Sequence, residues 1–302
     1  MFYIRPKKRS GRYCILLYRC RSMEIVNEVV SVLADANISY IILAVATYFL
    51  SVFLYTLRWK TILRRMGYLT DTFYLTAIIL GGIFFNNITP SSKTGGEPVK
   101  IYWLKEKFNV PLAHGTISIF YEKGVEAIPF LILTAYVSSI LKDYIPGGIA
   151  RDITLVVLII GGGAYLLRRR FSMPRLKVLI DLLKDKFTFF VTLTTSSLVW
   201  LLDILRFKLI SLALGAQLPL HIIAVMSFLY FVLGAAPLTP GGIGVVEGGF
   251  TAAIIGLGVA APLAIGIVII ERLISYVLST AIGGVFMVYL GGAKAWKHLR
   301  LH

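Results

Sequence analysis

Two carboxylates four residues apart, Glu122 and Glu126, stand in the otherwise apolar stretch 112–140, and an adjacent pair of opposite charge, Glu271 and Arg272, stands in the apolar stretch 261–290. At i, i+4 the first two share one face of a helix, with Lys123 turned away. A charge near the middle of a bilayer costs at least about 2.5–3.5 kcal/mol unless it is paired or hydrated. Residues of this kind therefore do a job there: they bind a headgroup ammonium, a coupling proton or an anion, or they form an internal ion pair that holds helices together. Glu97 and Glu247 close two Gly/Pro-rich segments, TPSSKTGGE (89–97) and TPGGIGVVE (239–247). The simpler reading of each is a first-turn carboxylate favoured by the helix dipole; that reading loses force because the two occupy matched positions.

If the two segments are hairpin tips that face each other, their helix N-termini, Lys93 and Arg272 serve anions, and the carboxylates serve cations. The expected result is one buried polar cavity, shared by Glu97, Glu247, Glu271 and Arg272, in an apolar body. Asp203 and Arg206, at i, i+3 near the end of a span, read as an interfacial ion pair. There is no Ser-His-Asp set, no HExxH and no phosphate loop, since GGIG at 241–244 lacks the spacing and the following Lys. No catalytic residue, metal ligand or cofactor is expected, and four scattered histidines have no metal-ligand spacing.

The elements that position these residues follow from composition. With 57% hydrophobic and 15% charged residues and a mean hydropathy of +0.80, most of the surface of this 302-residue chain has lipid for solvent. The net charge of +16 reads as loop Lys and Arg retained in the cytoplasm rather than as a nucleic-acid surface. Apolar segments run at about 38–57, 72–89, 112–140, 153–167, 187–214, 219–238, 248–259 and 261–290, and the clusters around Arg58–Arg65, Arg168–Lys186 and Lys294–Arg300 are cytoplasmic by the same rule.

The chain also carries an internal repeat. LRWKTILRRMG (57–67) aligns with LRFKLISLALG (205–215), TPSSKTGGE with TPGGIGVVE, and Glu122 with Glu271. The charge pattern makes the copies inverted, because one LR[WF]K element leaves its span into the cytoplasm and the other leaves outward. The stretch 72–111 must then start and end on one side. FFNNITPSSKTGGE reads as a re-entrant tip and 233–249 as its copy, because irregular backbone at membrane depth survives where protein or a water-filled cavity covers it. Ordinary solvent loops are the alternative.

The expected architecture is all-α and polytopic, two inverted repeats each with a re-entrant helical hairpin. A basic arm and amphipathic interfacial helix occupy 1–37. One transmembrane domain fills 38–292, with repeat 1 at about 38–140, a connecting span at 153–167 and repeat 2 at about 187–290. A cytoplasmic tail covers 293–302. Residues 1–22 are basic without an acid, and their longest apolar run, CILLY, is too short for a signal peptide; a natural start at Met23, a lost upstream part, and a basic arm on an anionic surface are the readings open there.

LRWK after a span, FFNNITPSSKTGGEPVKIYWL, YEKGVE and above all PLTPGGIGVVEGG resemble the lysylphosphatidylglycerol synthase transmembrane region family, flippase-like membrane proteins, over about 38–292. The resemblance implies a role in moving or handling lipids. In two-part relatives this region flips aminoacylated phosphatidylglycerol made by a soluble domain, which is absent here. It nominates Arg58, Asn87, Pro90, Gly96, Glu97, Glu122, Pro240, Gly241, Gly242, Gly244, Glu247, Glu271 and Arg272 for substrate binding and translocation, beside Lys93 and Glu126 from the residues themselves. Lys123 stands where relatives usually carry Arg, and the family's usual first span is missing.

The expected function is a non-enzymatic lipid flippase or headgroup translocator in the cell membrane, for a phospholipid or a polyprenyl-linked sugar. A membrane-embedded transferase or accessory subunit of glycolipid assembly is the alternative, with Glu97, Lys93 and Lys100 its sole candidates; a small-solute secondary transporter is the third. Membrane lipids are the expected partners, nucleic acid is not, and a homo-oligomer or a separate lipid-modifying enzyme stays open.

Overall fold

The computed structural model describes residues 23–89, 95–141, 173–235 and 239–292. The basic arm, the connecting span at 153–167, the C-terminal tail, and the tip residues Pro90 and Lys93 lie outside them. The described residues are helical, with no strand among them. Helix α1 covers 23–34, followed by α2 Ile38–Arg65, α3 Thr72–Ile88, α4 Gly96–Phe108 and α5 Leu112–Leu141. After residue 172 come α6 Met173–Lys184, α7 Lys186–Ala213, α8 Leu220–Ala235, a 3-10 turn Pro240–Gly242, and α9 Val245–Gly256. The chain closes with α10 Ala261–Arg272, a π-helical segment Leu273–Leu278 and α11 Ser279–Tyr289, which run on as one helix.

Four of these helices are long and apolar enough to cross a membrane: Ile38–Arg65, Leu112–Ile140, Lys186–Ala213 and Ala261–Tyr289. The chain is thus a multi-pass integral membrane protein. At about 1.5 Å per residue, α3 and α8 fall short of the ~30 Å hydrocarbon thickness. Each instead lies beside the helix that follows it, α3 against α4 and α8 against α9. The basic cluster around Arg168–Lys186 holds α6, whose Leu179 and Leu182 pack against Ile62, Tyr121 and Val125. Its short apolar period is hidden in the sequence by the surrounding Arg and Lys.

The aligned segments α2 and α7 begin and end alike. Asn37 and Asp185 cap them, accepting the backbone N–H of Ser39 at 3.0 Å and of Thr188 at 3.1 Å. Thr188, together with Arg65, holds the Asp185 carboxyl below its usual range. At the other end, matched Gly67 and Gly215 take positive φ, 90° and 74°. Each lets the chain fold back, Tyr68 N–H to Leu63 O at 2.9 Å and Ala216 N–H to Ser211 O at 2.9 Å, the Schellman arrangement that satisfies the last carbonyls. Matched Lys60 and Lys208 reach onward, to Thr72 Oγ1 at 2.6 Å and to Leu218 O at 2.6 Å.

Two main cores flank the α2–α7 pair. One joins Trp59, Leu63, Leu75, Ile78, Trp103 and Leu290; the other joins Phe207, Ile210, Met226, Phe250, Ile267 and Ile274. Close helix approach depends on small residues, as is usual in membranes. At Gly283 of α11 a Cβ would lie 2.5 Å from the Leu80 carbonyl oxygen and 3.1 Å from Phe84 Cβ, whereas at Gly284 it would meet only the Phe84 ring at 3.4 Å. Gly283→Ala is therefore expected to destabilise the protein by about 1–3 kcal/mol and Gly284→Ala by much less. Thermal unfolding in detergent measures both, and equal midpoints contradict this packing.

Candidate functional site

The long central helices each bury one arginine, Arg58 in α2 and Arg206 in α7, 0% and 4% exposed. Arg58 donates from Nη1 to Ser196 Oγ at 2.8 Å and from Nη2 to Glu122 Oε1; the same nitrogen lies 3.4 Å from Glu126 Oε2. Arg206 grips Glu271 with two bonds, Nε to Oε2 at 3.0 Å and Nη2 to Oε1 at 3.1 Å, and donates from Nη1 to Asp203 Oδ1 at 2.6 Å. Each arginine thus holds two carboxylates. Tyr55 lies under the Arg58 guanidinium at 4.9 Å and Tyr48 under that of Arg206 at 5.5 Å, two rings on one face of α2 seven residues apart.

This arrangement extends one expectation. Arg206 does pair with Asp203, but it is also buried and grips Glu271 with two bonds, so Glu271 is held from α7 and not by its neighbour Arg272. Burial at 0% exposure leaves a carboxylate no water, and a bidentate guanidinium is the partner that compensates best. The signal was present in the sequence, since Arg206 is the aligned match of Arg58.

Arg272 turns elsewhere. Its Nε donates to Glu247 Oε1 at 2.6 Å, its Nη2 to the Gly241 carbonyl at 3.0 Å, and its guanidinium lies 5.0 Å over the Tyr276 ring. Glu247 also accepts the Gly244 N–H at 2.6 Å, so it closes the start of α9. Gly241, Gly242 and Gly244 have φ of 59°, 72° and 83°, a conformation that other residues enter at a cost, and Pro240 opens the turn. Across from it, Asn87 at the end of α3 donates to Ser279 Oγ at 3.1 Å and Thr280 Oγ1 at 2.8 Å. A Cβ on Gly241 would lie 2.8 Å from the Asn87 carbonyl oxygen, so the end of α3 and the turn before α9 meet. Gly96 lets α4 sit against the Gly82 carbonyl, with its N–H donating to Asn86 Oδ1 at 2.7 Å. Glu97 pairs with Lys100 at 2.7 Å.

Between these groups lies a cavity of about 260 Å³. Its charged lining comes from Glu97 and Lys100 of α4, Glu122, Lys123 and Glu126 of α5, Asp203 and Arg206 of α7, and Arg272. Four of these are acidic and four basic. Asn86, Asn87, Ser51, Ser227 and Ser275 add uncharged polar groups, and Tyr48, Tyr55, Trp59 and Tyr230 supply aromatic walls. Of the four residues expected to share one cavity, Glu97 and Arg272 line it. Glu271 sits behind Arg206, and Glu247 faces a second, largely apolar pocket that Arg272 also lines. Among the described residues no cluster of His, Cys, Asp and Glu is placed to hold a metal ion. Sequence reasoning passed over Ser196, Asn86, Ser227 and the tyrosines, whose types are unremarkable in an apolar span until the fold turns them inward.

Comparison with known proteins places these features. The family model described as lysylphosphatidylglycerol synthase TM region matches residues 22–283. A UPF0104 membrane protein of Methanothermobacter thermautotrophicus is 25% identical over 308 aligned positions, covering 89% of this chain and 91% of that protein. A UPF0104 membrane protein of Pyrococcus horikoshii is 24% identical over 306 positions, covering 87% and 90%. Glycosyltransferase AglD of Haloferax volcanii is 24% identical over 292 positions, covering 79% of this chain but 46% of that protein.

Proposed function

The chain belongs to the lysylphosphatidylglycerol synthase transmembrane region family, and from that premise we propose that it takes the polar headgroup of a membrane lipid into the central cavity and passes it between leaflets. The observation that carries this reading is the cavity itself: about 260 Å³ lined by four acidic and four basic side chains inside a body whose spanning helices are apolar. Sealing so many charges in an apolar protein is costly, and a headgroup that carries charge or many hydroxyls is the ligand that uses them. The lining is balanced in sign, which fits a zwitterionic headgroup or a sugar phosphate better than a simple ion.

The two halves are proposed to be inverted repeats, with α3–α4 and α8–α9 as re-entrant hairpins. Matched Arg58 and Arg206 each holding two carboxylates support it, as do the matched Schellman ends of α2 and α7. In this arrangement the meeting of Asn87 with Gly241 is the midplane constriction, and movement of one half against the other opens the cavity to either leaflet.

The resemblance to a glycosyltransferase that is about twice as long favours one second reading, an accessory role beside an enzyme of glycolipid assembly, in which the cavity presents the lipid-linked sugar to a separate protein. Full-length protein in liposomes with a panel of fluorescent lipids, scored by an impermeant quencher, tests both. The proposal expects translocation of one headgroup class well above protein-free vesicles; the second reading expects binding of a lipid-linked sugar without translocation. Neither translocation nor binding for any lipid removes the basis of both.

A further inference from the structure

Arg272 borders two different spaces. One is the polar cavity; the other is a groove of about 300 Å³ between α9 and the long helix α10–α11, walled by Thr251, Ile265, Val268, Ile269, Leu273 and Val277, with Glu247 and Arg272 its charged members. Leu273 and Val277 are each 52% exposed, and they belong to the helix Ala261–Tyr289, which is apolar enough to span a bilayer. The groove therefore opens where lipid tails lie. A guanidinium–carboxylate pair facing such a surface is out of place unless something polar comes there, because its Glu247 side chain is 39% exposed and hydrocarbon solvates it poorly.

We infer that this groove seats the hydrocarbon chain of a phosphate-bearing lipid, with the phosphate at Arg272 and the headgroup beyond it in the polar cavity. The inference rests on the headgroup reading above and adds the route by which the lipid enters. In such a lipid the phosphate marks the change from apolar tail to polar head, and Arg272 marks the same change in the protein. A guanidinium fork matches phosphate oxygens in a way an ammonium does not. Two of its donors are now held by Glu247 at 2.6 Å and the Gly241 carbonyl at 3.0 Å, so an arriving phosphate replaces the carboxylate while stacking on Tyr276 keeps the guanidinium in place. Glu247 retains the Gly244 N–H at 2.6 Å.

The test uses the full chain with a photoreactive benzoyl-phenylalanine at Val277 in the groove or at Val288, which is 72% exposed elsewhere on the same helix. The bilayer is digalactosyldiacylglycerol, which has no phosphate, and it holds equal traces of chain-radiolabelled phosphatidylglycerol and diacylglycerol. One charge-assisted contact corresponds to roughly tenfold preference. The Val277 probe is expected to capture phosphatidylglycerol over diacylglycerol in about that ratio, while the Val288 probe captures both alike. Arg272→Gln brings the ratio at Val277 to one, and Ile269→Trp, which fills the groove without touching the ion pair, does the same. Where Arg272→Gln does not yield folded protein, Arg272→Lys gives a ratio between the two. Equal capture at Val277 and Val288 means ordinary bilayer lipid alone fills the groove and overturns the proposal, as does an unchanged ratio in Ile269→Trp. Persistent enrichment at Val277 in a protein that translocates nothing leaves the groove standing and removes the headgroup reading instead.

Discussion

Replacing either buried arginine is expected to cost about 3–5 kcal/mol of stability, the usual result of removing one partner of a buried pair. Arg58→Gln leaves Glu122 and Glu126 facing each other, with side chains 9% and 13% exposed. Arg206→Gln leaves Glu271 fully buried beside Asp203. Lysine in either position keeps the charge but cannot hold two carboxylates and a serine or a bidentate pair at once, so it recovers part of the loss. Thermal unfolding of the purified variants measures this. The two arginines should behave alike, because they occupy matched places in α2 and α7 and do matched work. A large loss at Arg58 with little at Arg206 contradicts that equivalence.

The second large effect concerns selectivity. Glu126 lines the cavity, lies 3.4 Å from Arg58 Nη2 and accepts from Lys123 Nζ at 3.1 Å. Arg58 keeps Glu122 as its main partner, so Glu126→Gln leaves the helix contacts largely intact while taking one negative charge out of the lining. Translocation of a headgroup bearing an ammonium is expected to fall roughly tenfold relative to an anionic headgroup, the consequence of losing about 1.4 kcal/mol of charge complementarity. Paired flip rates for the two headgroups in the same liposomes measure it. If both rates change by the same factor, Glu126 acts on the protein's structure and not on the headgroup.

Much of this was legible in the sequence, and the reason is chemical. In an apolar chain Arg, Lys, Glu, Pro and Gly are rare, so LR[WF]K, TP-x6-E and the later glutamates stood out and could be aligned. The alignment paired Gly67 with Gly215, which prove to be the matched helix ends, and the reading of Glu97 and Glu247 as first-turn carboxylates agrees with their places in α4 and α9. Partnership was not legible. Glu271 and Arg272 are adjacent in sequence, but successive helix positions point about 100° apart, which sends one to Arg206 and the other to Glu247. Arg206 was set aside because Asp203, at i, i+3, offered a local partner that explained it too easily. Tyr48, Tyr55, Ser196 and Ser227 carry no sequence signal at all, since Tyr and Ser are tolerated anywhere in a span; helix packing alone decides that the tyrosines and Ser227 face the cavity and that Ser196 meets Arg58 across the α2–α7 pair.

The central claim is that the headgroup passes through the cavity between the two halves, and filling that cavity tests it most directly. Ser227 of α8 lines it and is 3% exposed; in Ser227→Trp the indole occupies much of the roughly 260 Å³. Flip rates of the preferred fluorescent lipid, measured in liposomes for wild type and Ser227→Trp at equal amounts of folded protein, give the answer. The account predicts a loss of at least about tenfold with the unfolding temperature little changed. An unaltered flip rate with the indole in place would mean that lipid crosses by another path.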